Sequence, residues 1–234
     1  MNRVETALIN SPPRRWLQRY EARALIGLGG RVPGGRAVEL GCGSGWGTRL
    51  ILDRFGAGQV DAVDLDPAMV QRARSRLARY GHRVRVVEGS ATDVRAAFAA
   101  DGGPADAGAT GTYDAVFDFA IIHHVPDWRT ALDEVARLLA PGGRFFFDEV
   151  CAPALARYSY RTLFDHPTEN RFSAGEFLAE LPRHGLVVDD RWRTWIGSDY
   201  LVGVATRDDP PLDTGQDAGQ DTGLAAFPDR GPRS

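Results

Sequence analysis

The stretch Ala37-Val38-Glu39-Leu40-Gly41-Cys42-Gly43-Ser44-Gly45-Trp46-Gly47-Thr48 decides how this chain is read. A short apolar run ends in an acid and breaks into alternating glycines. A helical pattern then runs from Thr48 through Arg49, Leu50, Ile51 and Leu52. The order is strand, glycine loop, helix. Glycine admits positive φ and lets a ligand approach the backbone with no Cβ in the way. The helix N-terminus beyond the loop offers unpaired N–H groups and partial positive charge. Such a turn is built to hold a small polar ligand, very often a nucleotide.

The dinucleotide fingerprint G-x-G-x-x-G/A does not fit, because the sixth position from Gly41 is Trp46. An indole there stands where helix and strand should pack closely. The pattern is G-x-G-x-G, with Glu39 two residues ahead of the first glycine. A pyrophosphate gains nothing from a carboxylate at that place, whereas a ligand carrying an ammonium group does.

Outward from this loop the chain alternates strands and helices. Further strands are expected at 60–63, 84–88, 115–119 and 144–149, with helices at 67–80 and 128–139. Residues 101–112 read as a loop rich in glycine, alanine and aspartate. That alternation predicts a parallel α/β sheet with right-handed crossovers. Upstream, Pro12-Pro13 opens an amphipathic helix over 14–28, with Trp16, Leu17, Tyr20, Ala24 and Leu28 at helical spacing. After the fifth strand, residues 151–169 carry Tyr158, Tyr160, Phe164 and His166 with little strand character, and read as a helix and loop covering the site. Ser173 and Glu176 form a capping-box pattern for another helix. Two last strands are expected, at 186–188 (extended toward 194) and 200–205.

The chain divides into an N-terminal helical cap at 1–36, a ligand-binding domain at 37–206 with a lid insertion at about 151–180, and a tail at 207–234. The acidic repeat from Asp213 to Gly223 buries too little apolar surface to order itself and reads as disordered. The 234 residues are 43% hydrophobic and 25% charged, ordinary values for one globular domain. A formal net charge of −3 argues against a nucleic-acid-binding surface. No apolar run approaches the ~20 residues of a membrane helix. Cys42 and Cys151 are the only cysteines, and no Cys/His pair has zinc spacing, so no metal is expected. The cysteine usage and the absence of a signal peptide fit a reducing cytoplasm. High Arg, Ala and Gly content with scarce Lys suggests a GC-rich bacterial genome.

Several motifs in order resemble those of class I S-adenosylmethionine (SAM)-dependent methyltransferases, in the small-molecule branch of ubiquinone and menaquinone biosynthesis. Val38 to Gly45 looks like motif I, and Val60 to Met69 like the second strand with its acidic end. Val86 to Asp93 is similar to the third-strand motif, and Tyr113 to Val125 to motif IV. Leu138 to Arg144 resembles the turn before strand five. The resemblance implies a Rossmann-like, doubly wound, seven-stranded sheet, mostly parallel with an antiparallel last strand and helices on both faces. It implies SAM as cofactor and S-adenosylhomocysteine (SAH) as product.

It also places the site. Glu39, Gly41, Gly43 and Gly45 face the methionine part of SAM, Glu39 acting on the ammonium directly or through water. Asp64 binds the ribose hydroxyls, since one carboxylate accepts two O–H bonds. Asp66 instead N-caps the helix at Pro67. Leu65 lies near the adenine face. Ser90 stands where relatives often carry an acid that reaches the adenine amino group, with Asp93 as its possible substitute or a solvated loop acid. The N–H of Ala91 suits an adenine ring nitrogen. Asp118 departs from the small residue of relatives, and either binds the ammonium, orients substrate or joins a core network. Phe119 offers its carbonyl. Trp46 and Tyr20 are candidate walls. His123 is the candidate base and His124 a structural neighbour. Leu155, Tyr158, Leu163 and Phe164 suggest a partly apolar small-molecule substrate. The alternatives are a SAM-binding protein without transferase activity, including a cyclisation role, and an NAD(P)-dependent oxidoreductase, against which Trp46 and Glu39 speak.

Overall fold

The computed structural model describes residues 11–102, 106–156 and 170–208. Five parallel strands form its centre: β1 (Arg36–Leu40), β2 (Gln59–Asp64), β3 (Val84–Glu88), β4 (Tyr113–Phe119) and β5 (Leu139–Val150). They stand in the order β3-β2-β1-β4-β5. Three more follow: β6 (Leu186–Val187), β7 (Trp192–Trp195) and β8 (Tyr200–Arg207). β8 lies antiparallel beside β5, and its outer edge carries β6 and β7 end to end. The sheet thus has seven positions, mostly parallel, as expected. The edge expected as one strand from 186 toward 194 is divided in two. Asp189 there takes φ 48, a left-handed turn that aspartate tolerates and a strand does not.

The helices are α1 (Pro12–Gly29), α2 (Trp46–Leu50), α3 (Pro67–Leu77), α4 (Val94–Ala100), α5 (Trp128–Leu138), α6 (Ala152–Leu155) and α7 (Ala174–Glu180). Caps explain several starts. Asp66 accepts from the Ala68 N–H at 2.8 Å, and Ser173 with Glu176 completes both halves of the capping box. α4 has no counterpart in the sequence reading. Asp93 begins it by accepting from the Ala96 N–H at 3.0 Å, so this acid is a helix cap. α2 loosens into a π-turn over Ile51–Phe55 and stops at Gly56, φ 82.

Both faces of the sheet are covered, so the central strands are apolar on both sides. In β5 the run Phe145-Phe146-Phe147 alternates: Phe145 and Phe147 join the core under α5 and α7, and Phe146 joins the core under α1 and the π-turn. Phe146 stacks on Phe117 at 4.6 Å, and Phe55 meets both rings edge-on. Each such buried ring contributes roughly 1.5–3 kcal/mol by leaving water. α1 departs from the expected orientation. Among the described residues Ala22 and Leu25 are its buried apolar side chains, beside the buried Glu21, whereas Trp16, Leu17 and Tyr20 are exposed. Tyr20 touches only the rim, with its ring 5.5 Å from that of Trp195. Periodicity alone could not settle which of the two apolar stripes of α1 meets the sheet.

Tyr158, Tyr160, Leu163, Phe164, His166 and the tail from 209 lie outside the described residues. Among the described residues no helix is long and apolar enough to cross a membrane.

Candidate active site

The glycine loop sits at the carboxyl end of β1, beside the ends of β2 and β4. Gly41, Gly43 and Gly45 all have positive φ (61°, 51° and 82°), which the sharp exit from β1 requires. A side chain on Gly41 would strike Ile121, and one on Gly45 would press on Ala73 and Leu77. Above Gly43, by contrast, a Cβ would meet nothing within 4 Å. The open space of the cradle is there.

Asp64 fastens this loop to β2. Its Oδ2 accepts from the Gly43 N–H at 2.7 Å, and its Oδ1 accepts from the Asp66 N–H at 2.9 Å. Burial raises its pKa, against the lowering effect of those two N–H groups. Each oxygen keeps acceptor capacity for a hydroxyl. Next to it Leu65 is 72% exposed, an apolar side chain presented at the strand end. Ser90 Oγ is 2.7 Å from Thr92 Oγ1 and also accepts from the Thr92 N–H at 3.1 Å. Ala91 is buried beside it.

Glu39 is buried beneath the loop, 1% exposed, and accepts from the Thr48 hydroxyl. Burial, with the charges of Asp64 and Asp118 behind it, pushes its pKa up to about 8. Phe119 is buried, and its ring stacks on Phe117 at 6.0 Å. Trp46 turns toward α3, with the Arg76 guanidinium 4.8 Å and that of Arg49 5.4 Å from its ring.

The end of β4 carries the second half of the site. Asp118 is fully buried, and its Oδ1 accepts from the Ile121 N–H at 2.9 Å. Ala120 takes φ 64 and donates its N–H to the Asp148 carbonyl at 2.7 Å. A non-glycine residue held there is a strained corner of the kind found at functional sites. The chain then makes one turn, and His123 and His124 follow with ring centroids 4.2 Å apart. His123 is buried against Glu149, with Nδ1 2.5 Å from Oε2. Burial, and the positive charge of Arg14 on α1, lower its pKa to about 3 and keep it neutral.

The sequence reading missed Glu149, Asp148 and Glu21. Burial raises Glu149 to about 7 and Asp148 well above its usual range, the latter also through Glu21. Asp118 is likewise held well up, by burial and then by Glu149. Glu21, buried on α1, receives Arg14 Nη1 at 2.6 Å. The available signal was two adjacent acids ending an otherwise aromatic strand, Phe145-Phe146-Phe147-Asp148-Glu149. Acids inside a buried run are costly unless partnered. Asp118 faces Glu149 and Asp148 faces Glu21, carboxyl against carboxyl, and such pairs hold together when one member of each carries a proton. Carboxyl groups crowded at adjacent strand ends suit a cationic ligand. No set of three or more His, Cys, Asp or Glu among the described residues is arranged to hold a metal ion.

Residues 37–143 match the family described as a methyltransferase domain. The chain is 34% identical over 119 residues to the ubiquinone biosynthesis O-methyltransferase of Xanthomonas oryzae pv. oryzae, covering 49% of this chain and 43% of that one. It is 36% identical over 117 residues to the malonyl-[acyl-carrier protein] O-methyltransferase of Halorhodospira halophila, covering 50% and 35%. The chain thus spans less than half the length of these curated relatives. The crystal structure of the S-adenosylmethionine-dependent methyltransferase from Mesorhizobium loti superposes with a TM-score of 0.61 at 21% identity, over 79% of this chain and 96% of that one. At that identity the likeness is one of fold.

Proposed function

We propose, on the premise that this chain carries the class I SAM-dependent methyltransferase fold, that it transfers the methyl group of SAM to an oxygen, nitrogen or carbon of a small, partly apolar molecule. The observation that carries this reading is the cradle: open space over Gly43, Asp64 fastened beside it, and Leu65 exposed next in line. A nucleoside fits that order, with ribose on Asp64 and adenine on Leu65, Ser90 and the Ala91 N–H. The methionine part lies over Gly41, Gly43 and Gly45. Asp118 and Glu39 supply negative potential for its ammonium, and a cation beside them favours their ionised forms. We assign the Phe119 carbonyl to the same ligand, and Trp46 as the wall of the loop on the α3 side.

Bound SAM supplies an electrophilic methyl on a sulfonium, a good leaving group. The protein's task is therefore alignment, and holding reactants at near-attack distance is worth roughly 7–11 kcal/mol of barrier. A base adds about 10²–10⁴-fold when the nucleophile bears a proton, and His123 is the residue we assign. Residues 1–36 act as a cap and 151–180 as a lid that excludes water; Arg207, read as the first residue of the tail, instead closes β8 and pairs with Leu186. Two buried free cysteines suit a cytoplasmic location. The O-methyltransferase names of both curated relatives favour oxygen as the acceptor.

The test is calorimetric titration with SAM, SAH and NADH of the full chain and of Asp64→Ala. Micromolar binding of SAM and SAH, weakened in the variant and absent for NADH, is the expected result. Binding of NADH in place of SAM would instead support an oxidoreductase. Accumulation of SAH from SAM in the presence of a panel of hydroxylated acceptors separates a transferase from a protein that only binds SAM.

A further inference from the structure

His184 ends the short turn Leu181–His184 that follows α7, and its side chain is only 8% exposed. Each ring nitrogen stands beside a carboxylate of a different helix. Nδ1 lies 2.7 Å from Asp133 Oδ1 of α5, and Nε2 lies 3.6 Å from Glu180 Oε1 of α7. Glu180 is held by two cations, Arg183 Nη1 at 2.9 Å and Arg129 Nε at 3.4 Å, and a cation beside a carboxyl favours its ionised form. An ionised carboxylate only accepts, whereas a neutral imidazole has one N–H and one lone pair. Either tautomer therefore turns a lone pair toward an acid. With the proton on Nδ1, Nε2 is buried without a hydrogen bond among the described residues. Only the imidazolium offers an N–H to both acids.

We propose that His184 is a pH-sensitive latch, whose second proton fastens α7 and its closing turn to α5 and whose loss releases that hold. The two helices already share an apolar contact, the Phe177 ring lying 5.9 Å from that of Trp128. His184 adds a polar link that depends on pH. The charged groups around it are Asp133 and Arg129 of α5, Glu180 of α7 and Arg183 of its own turn; β6, packed against that turn, is Leu186–Val187 and brings none. Both arginines stay charged and are engaged by Glu180, which leaves Asp133 to the ring. Among these residue types only histidine ordinarily changes charge between pH 5 and 8. The imidazolium then joins opposite charges on two elements, so the hold is present at low pH and lost as the pH rises. α7 closes the segment assigned above as a lid, and mild acid would hold the far end of that lid more firmly. That consequence rests on the lid assignment; the latch itself does not.

The experiment is amide hydrogen exchange of the full chain without ligand at about pH 7.5 and about pH 5.5, in wild type, Asp133→Asn and His184→Gln. Protection of the amides of residues 177–184 is read as the ratio of wild type to variant at each pH, which cancels the general effect of pH on the fold. The expected ratio to Asp133→Asn rises about two- to fivefold from the higher pH to the lower, the size an ion pair with one exposed partner supports. His184→Gln, which removes the charge, should give the same rise. Asp133 is 70% exposed, so its variant folds whatever becomes of His184→Gln. Histidine ¹⁵N spectra of the wild type should show both ring nitrogens of His184 protonated at the lower pH. A ring that is still neutral there, or a ratio that is the same at the two pH values, overturns the latch. None of these readings uses SAM, so the latch and the methyltransferase reading fail separately.

Discussion

Gly47 is required by Glu39 and not by its own backbone. It lies in α2 and is not among the glycines with positive φ. A Cβ placed on it would collide with Glu39 Oε1 and stand 3.0 Å from Glu39 Cδ and 2.8 Å from Phe119 Cδ2. Neither neighbour can yield. Glu39 is buried and held by Thr48, and Phe119 is buried and stacked on Phe117. On helix propensity alone, Gly47→Ala would stabilise the chain by about 0.5–1 kcal/mol. Against this, overpacking costs about 1–3 kcal/mol. Displacing a buried carboxyl from its hydroxyl partner costs about another 1–3 kcal/mol. The balance is a loss of about 3 kcal/mol, which for a chain of this size lowers Tm by about 6–12 °C. Thermal and urea unfolding of wild type, Gly47→Ala, Glu39→Ala and the double variant would measure it. Removing Glu39 makes room for the methyl, so the two losses should fall short of additivity by at least about 1 kcal/mol. A Gly47→Ala protein as stable as wild type, or strict additivity with Glu39→Ala, would refute the clash.

With Asp64 assigned to the ribose as proposed, Asp64→Ala should lose two charge-assisted hydrogen bonds, together worth about 3 kcal/mol, and weaken SAM about 100-fold by calorimetry; a loss under about fivefold would take Asp64 out of the ribose site. Stability should also depend on pH with a readable sign. Glu39 sits at about 8 in the fold against 4.5 when free, so its contribution is whole below pH 4.5 and is lost as the pH rises through 8. Glu149 runs the same way up to about 7. His123, at about 3 against 6.5, runs oppositely: its contribution is whole above pH 6.5 and lost as the pH falls toward 3. Between pH 6.5 and 8 the raised carboxylates set the slope, so Tm of the ligand-free protein should fall with rising pH and Glu39→Gln should flatten that fall; above pH 8 the two buried thiols add to it. Equal slopes in both proteins would mean that Glu39 is ionised in the fold. Burial pushes the Cys151 thiol up to about 12 and Cys42 well above its usual range, so a thiol reagent at pH 8 should titrate both only after denaturation; fast labelling of the native chain would contradict their burial.

The parts of this protein that were legible in the sequence are those made by neighbours along the chain. The apolar runs at 37–40, 60–63 and 84–88, the glycines between strand and helix, the Asp66 cap and the Ser173–Glu176 capping box each depend on a few consecutive residues. Their physics is complete within one turn or one strand. Hence the parallel α/β order, and the placing of Asp64 and Leu65 at a strand end, could be read directly. What tertiary structure alone decided are the pairings across the sheet. Glu149 meets His123 because β4 and β5 lie side by side, with Phe119 opposite Asp148. Gly47 is excluded from alanine by an acid on another element, Glu39 on β1. α1 turns Ala22 and Leu25 inward and leaves Trp16 and Tyr20 on the rim because only its later turns reach the sheet. The single edge strand divides at Asp189 because both halves must find register on β8. Register and docking face are set by contacts between residues distant in the chain, and no local periodicity carries that information.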